Sequence, residues 1–271
     1  GIMNQSAWFL GPLFLSLFID VKNPVIENAG IPFGIASGVI ALLAVSIIFL
    51  PLQEVKADGE DEELNETNKD QKAIAFSNSK TSILHFPHLV LGVIALFLYV
   101  GVETLPMASV IDFANSMGVD NPAKYASIGP IGMIIGYVVS ISVLQFFRQN
   151  RALILFTLLA LAASFLIIFL PAEKAIYCVA GLGFAHSIMW GCIWALTINN
   201  LGKYTKTGAS MLVIAIVGGA IIPLLFGFIL DLIKQSEMAT PSNFQTAYIL
   251  FIPCYLYILF YAKIGYKIGR T

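Results

Sequence analysis

Glu103 and His186 are the two ionisable side chains that lie well inside long apolar runs of this 271-residue sequence. A charged group at the centre of a bilayer costs about 2.5–3.5 kcal/mol on insertion scales, so each needs a compensating environment. Glu103 stands in Leu98-Tyr99-Val100-Gly101-Val102-Glu103-Thr104-Leu105-Pro106, with Tyr99 one helical turn before it. Counted from Pro87 at 1.5 Å per residue it lies about 24 Å along a helix, in the outer half of a membrane. Its chemistry there would be to accept hydrogen bonds from a polar solute, or to carry a proton. The competing reading is a carboxyl satisfied by a neighbouring helix. Pro106, three residues on, is expected to loosen the helix locally, as in the broken helices of transporters.

His186, Trp190 and Trp194 recur at i, i+4 and i+8, so the spacing places them on one helix face. Indoles can stack on the C–H face of a sugar ring while a histidine supplies hydrogen bonds. Helix packing with membrane-interface tryptophans gives the same pattern. Asn199 and Asn200 follow where that helix should end, as caps or as ligands. Arg148-Gln149-Asn150-Arg151 marks a short basic loop, fit either to latch two halves of a protein or to anchor on headgroups. Gly129, Gly132 and Gly136, and likewise Gly218 and Gly219, make thin helix faces for close approach. Cys178, Cys192 and Cys254 have no metal or redox spacing, and no cofactor is expected. The sequence holds no phosphate-cradling glycine-rich loop with its lysine and no nucleophile–base pair, so it reads as no enzyme and no ATP-driven pump.

The elements that must position these residues follow from composition. The chain is 58% hydrophobic and 11% charged, against roughly 25% charged in a soluble domain. That excludes a soluble enzyme and a nucleic-acid binder and defines an all-α integral membrane protein lodged in a lipid bilayer. Eight candidate spans are read at about 5–19, 31–52, 87–111, 126–146, 152–170, 174–198, 209–232 and 246–264. Between the second and third, residues 53–86 form an acidic stretch too polar to bury a core, expected to be a flexible linker. Of the fifteen lysines and arginines, eleven fall on the linker's side and four (Lys22, Lys124, Lys174, Lys234) on the other. The positive-inside rule therefore predicts a cytoplasmic linker and cytoplasmic chain ends.

An internal repeat sharpens the organisation. Gly11-Pro12-Leu13-Phe14-Leu15-Ser16-Leu17-Phe18-Ile19-Asp20 parallels Ile222-Pro223-Leu224-Leu225-Phe226-Gly227-Phe228-Ile229-Leu230-Asp231, six helices later. A parallel six-helix period predicts two six-helix halves. Residues 1–52 then supply the last two helices of an N-terminal half, 53–86 the linker and 87–271 the C-terminal half. Eight of an expected twelve transmembrane helices are present, and four N-terminal helices of the same chain are expected to be missing.

Leu98–Pro106 resembles the first helix of the second half in the fucose/glucose/galactose:proton symporter family of the major facilitator superfamily, whose glucose/galactose members have a similar Tyr-Val-Gly-Val-Glu run. His186–Gly202 is similar to that family's tenth helix, and Gly208–Asp231 resembles its eleventh. The chain departs from the pattern at His186, Trp190-Gly191 and Trp194, and at Ile135-Gly136, where a Gly-Arg pair is frequent. The resemblance implies a major facilitator superfamily fold in a bacterial inner membrane and proton-coupled symport of a hexose such as glucose, galactose or fucose. Proton-coupling carboxylates are then expected in early helices outside this chain. The residues expected at the sugar are Glu103, Tyr99, His186, Trp190, Trp194 and Asn199. A non-transporting sugar sensor or structural membrane protein, or an exporter of another small solute on the same fold, is the alternative.

Overall fold

The computed structural model describes residues 29–49, 81–236 and 238–269, with isolated positions between 6 and 19. The predicted span at 5–19, and with it the first copy of the repeat, is described only at scattered positions, and 53–80 of the predicted linker lies outside the described residues. Among the described residues there are seven helices long and apolar enough to cross a membrane and no strand. They are α1 (Gly30–Phe49), α2 (Pro87–Ser116), α3 (Pro122–Phe146), α4 (Gln149–Phe169), α5 (Ala172–Ile198), α6 (Gly202–Ile233) and α7 (Pro241–Lys267). The chain is an integral membrane protein, and apolar side chains such as Phe146, Leu224 and Phe228 stand on its surface, where lipid rather than water suits them.

Several helices outrun their apolar cores. The third predicted span closed at 111, yet α2 continues to Ser116; α6 opens at Gly202 rather than 209, and α7 at Pro241 rather than 246. Polar residues join a helix readily where it leaves the hydrocarbon, because the backbone groups still need partners. At α7 the cause is visible: the Thr240 and Asn243 side chains form a reciprocal capping box ahead of Pro241.

The breaks come where the prolines are not. α2 runs without interruption through Pro106, and the last segment of α6 runs through Pro223. Interruption falls instead at Ser187-Ile188 in α5, at the 3-10 turn Ala215–Val217 in α6 and at the 3-10 turn Tyr248–Leu250 in α7. The expected loosening at Pro106 is therefore corrected. Hydroxyls stitch the backbone around it: Thr104 Oγ1 donates to the Val100 carbonyl at 3.0 Å, and Ser109 Oγ to the Leu105 carbonyl at 2.9 Å.

α2 is the central helix, and glycines set its contacts and those of α5. A Cβ at Gly218 would run into the Phe97 carbonyl, and one at Gly101 into Ile222. Between α3 and α5, a Cβ at Gly132 would strike the Ala180 carbonyl and one at Gly183 the Gly129 carbonyl. Backbone thus meets backbone, the contact that small residues permit between helices in lipid. The interior of the bundle is aromatic: Tyr99, Tyr248, Tyr255, Tyr261, Phe113, Phe156 and Phe251 are fully buried.

Candidate functional site

A polar and aromatic cluster assembles around the middle of α2. Glu103 stands 16 residues into this 30-residue helix and is half-buried. Its carboxyl lies against the Tyr99 hydroxyl and near Tyr137, which α3 contributes. The Tyr99 hydroxyl donates to the backbone carbonyl of His186 at 3.0 Å, at the point where α5 breaks. His186 Nε2 and the Tyr255 hydroxyl share a hydrogen bond of 2.7 Å, which ties α5 to α7.

The break in α5 has a local cause. Gly136 of α3 leaves room for Ser187, whose hydroxyl meets that of Ser140 at 3.2 Å. Ser187 also donates to the Phe184 carbonyl at 2.8 Å, offering the backbone a partner other than the next turn. Beyond the break, Trp190 and Trp194 stack with ring centroids 6.0 Å apart and planes 17° from parallel. Tyr99 presents its edge to Trp190 at 6.3 Å.

The structure thus gathers Glu103, Tyr99, His186, Trp190 and Trp194 and sorts them by depth. Glu103, Trp190 and Trp194 are partly exposed and form the surface. Tyr99 and His186 are buried, at 0% and 1% exposure, and act from behind it. Tyr137, partly exposed, and Tyr255, fully buried, complete the cluster, although neither was singled out in the sequence. The available signal was a hydroxyl in the middle of an apolar run, since a buried tyrosine needs a hydrogen-bond partner.

Asn199 lies elsewhere. Nine residues past Trp190, it is about 13 Å farther along α5 at helical rise. Asn199 ends the helix, its carbonyl bonds His88 Nε2 at 3.1 Å, and Asn200 turns the chain with φ 64°. Asparagine tolerates that left-handed backbone better than most residues. The Asn199 side chain borders a separate cavity of about 620 Å³ with Gln145, Arg148, Gln149 and Tyr266. Among the described residues no group of three His, Cys, Asp or Glu side chains is placed to hold a metal ion.

The Tyr255–His186 bond supports a first prediction. Tyr255→Phe leaves a buried imidazole nitrogen without its partner, which costs about 1–3 kcal/mol. The thermal midpoint of the detergent-solubilised protein should fall, while Tyr257→Phe, whose hydroxyl bonds only the Leu91 carbonyl at 3.3 Å in a half-buried setting, should lower it less. Equal midpoints for the two variants would mean that His186 is satisfied in another way.

This arrangement of discontinuous helices around a central polar cluster has the fold of a major facilitator superfamily transporter. Over 89% of this chain and 55% of the other, the helices superpose on the crystal structure of the major facilitator superfamily transporter FucP in its outward conformation, with a TM-score of 0.65 at 22% identity. No family model matches the chain. Its sequence relatives are transporters rather than enzymes. The glucose/galactose transporter of Brucella abortus is 28% identical over 74% of this chain and 48% of its own length. A putative glucose/galactose transporter of Helicobacter pylori is 29% identical over 97% of this chain and 64% of its own. The L-fucose-proton symporter of Escherichia coli is 24% identical over 89% of this chain and 52% of its own. The chain therefore spans about half to two thirds of the length of these relatives.

Proposed function

We propose that this chain is part of a proton-coupled hexose symporter of the fucose/glucose/galactose family, working by alternating access. The observation that carries the reading is the joint surface of Glu103 and the stacked Trp190–Trp194 pair: a carboxyl in the middle of a membrane helix beside an aromatic platform, linked through Tyr99. A pyranose has a C–H face for the indoles and hydroxyls for the carboxyl. The names of the relatives favour the same substrate class.

In this reading residues 1–52 belong to an N-terminal six-helix half, 53–86 link the halves, and 87–271 form the C-terminal half. Sugar binds near the midplane, and the halves rock about it. The other wall of the site, with the coupling carboxylates, comes from N-terminal helices of the same protein. The protein sits in a bacterial inner membrane with the linker and C-terminus in the cytoplasm, as the distribution of basic residues favours. Asn199, with Arg148, lines the cytoplasmic end rather than the sugar site.

Uptake decides it. Transporter-deficient cells expressing the full-length parent should accumulate labelled glucose, galactose or fucose under an inward proton gradient, and an uncoupler should abolish the accumulation. Saturable binding without accumulation would instead favour a sugar sensor. A well-expressed, inserted protein that neither binds nor moves these sugars would overturn the hexose assignment in favour of an exporter of another solute.

A further inference from the structure

Tyr99 has one proton and two acceptors. Its hydroxyl donates to the His186 carbonyl at 3.0 Å, and the Glu103 carboxyl, one turn along the same helix, also lies against it. A neutral Glu103 is itself a donor: its O–H can point at the tyrosine oxygen, giving a chain from carboxyl to phenol to backbone carbonyl. An ionised Glu103 only accepts, and hydrogen bonds to a charged acceptor are roughly twice as strong as neutral ones. The tyrosine proton then turns to the carboxylate, and the His186 carbonyl loses its donor.

That carbonyl sits at a vulnerable place. It closes the segment Cys178–His186, immediately before the interruption at Ser187-Ile188, and the next segment, Met189–Ile198, carries both tryptophans. Tyr99 also touches that segment directly, edge-on to Trp190. We propose that Tyr99 is a positioning residue, a two-position hydrogen-bond switch through which the protonation state of Glu103 sets the alignment of the two segments of α5 and hence the placement of Trp190 and Trp194. No covalent bond changes apart from the carboxyl O–H: the proton leaves to, or returns from, water on the partly exposed side of Glu103. The proposal rests on the sugar-site reading only in what it says the movement repositions.

The groups around Glu103 bound the inference. Its own helix supplies Tyr99, α3 supplies Tyr137, and α7 supplies Tyr255; α5 brings His186 behind Tyr99. α6 packs against this stretch of α2 with Gly218, Gly219 and Ile222, none of them titratable. His186 is thus the one other side chain in the cluster with an ordinary pKa near neutrality.

The test is a pH titration of intrinsic tryptophan fluorescence, without sugar, on the full-length protein in lipid nanodiscs over about pH 5 to 9. Trp190→Phe and Trp194→Phe assign the signal. The expected result is one reversible transition from the tryptophan pair that is lost in Glu103→Gln and in Tyr99→Phe but retained in His186→Gln. A transition that survives Tyr99→Phe would overturn the switch, because Glu103 would then act on the indoles without it. Loss in His186→Gln with survival in Glu103→Gln would overturn it as well, by making the histidine the titrating group. If Tyr99→Phe does not fold, Glu103→Asp serves: its shorter carboxyl should keep the titration but uncouple it from the fluorescence. Sugar binding by calorimetry on the same samples separates the two readings, since absent binding in the parent protein refutes the sugar site and leaves the fluorescence transition standing.

Discussion

If the chain belongs to a hexose symporter as proposed, replacing Glu103 with glutamine is expected to weaken hexose binding by about tenfold, and replacing it with alanine by up to about a hundredfold. The reasoning starts from the acceptor. A carboxylate holding sugar hydroxyls makes charge-assisted hydrogen bonds worth about 1.5–3 kcal/mol each, against about 0.5–1.5 for neutral ones. Glutamine keeps a carbonyl of the same reach but loses the charge, a difference of roughly one decade in affinity at 1.4 kcal/mol per tenfold. Alanine removes the acceptor and opens space beside Tyr99 and Tyr137. Calorimetric titration of the full-length protein, with monodispersity checked first, reads the effect directly. Retention of affinity within a factor of about two in both variants would place Glu103 outside the sugar contacts, because one lost hydrogen bond already exceeds that.

The same carboxyl shows how far the sequence could be read. Its position in an apolar run was enough to mark it, because hydropathy and the cost of an intramembrane charge are properties of composition. The spans were legible for the same reason. The breaks were not. Pro106 and Pro223 are the strongest breaker signals in their helices, yet both lie in unbroken segments. Ser187-Ile188 and Ala215-Ile216-Val217 read locally as good membrane helix, and the chain is interrupted there. The reason at α5 is tertiary: a hydroxyl from α2 on one carbonyl, and a glycine of α3 that admits Ser187. Such contacts leave no periodic trace along the chain.

Depth within the site was hidden in a similar way. The i, i+4, i+8 spacing put His186 with the tryptophans, but the break between His186 and Met189 buries the imidazole against Tyr255 and leaves the indoles partly exposed. Tyr137 and Tyr255 carry no charge and so stood out less than Glu103, although a mid-membrane hydroxyl also has to be satisfied. Asn199 could be read as a cap or as a ligand; its backbone carbonyl and the turn at Asn200 favour the helix end.

The second large effect is structural and reaches the same site. Gly218→Val should largely abolish recovery of folded protein, whereas Gly227→Ala, nine residues along the same helix, should be neutral or slightly stabilising. Both glycines lie in the last segment of α6, so their intrinsic cost to the helix is alike, about 1 kcal/mol relative to alanine. What differs is the neighbour. A Cβ at Gly218 collides with the Phe97 carbonyl, a backbone group of α2 that cannot rotate away, while nothing lies within 4 Å of one at Gly227. Overpacking costs about 1–3 kcal/mol where side chains can adjust, and more where backbones must part. Here parting means moving α6 off α2 at Gly101, two residues from Glu103, so material that survives should also bind sugar poorly. Monodisperse yield and thermal midpoint of the two variants, measured side by side, test this. Equal behaviour would show that α2 and α6 do not meet backbone to backbone.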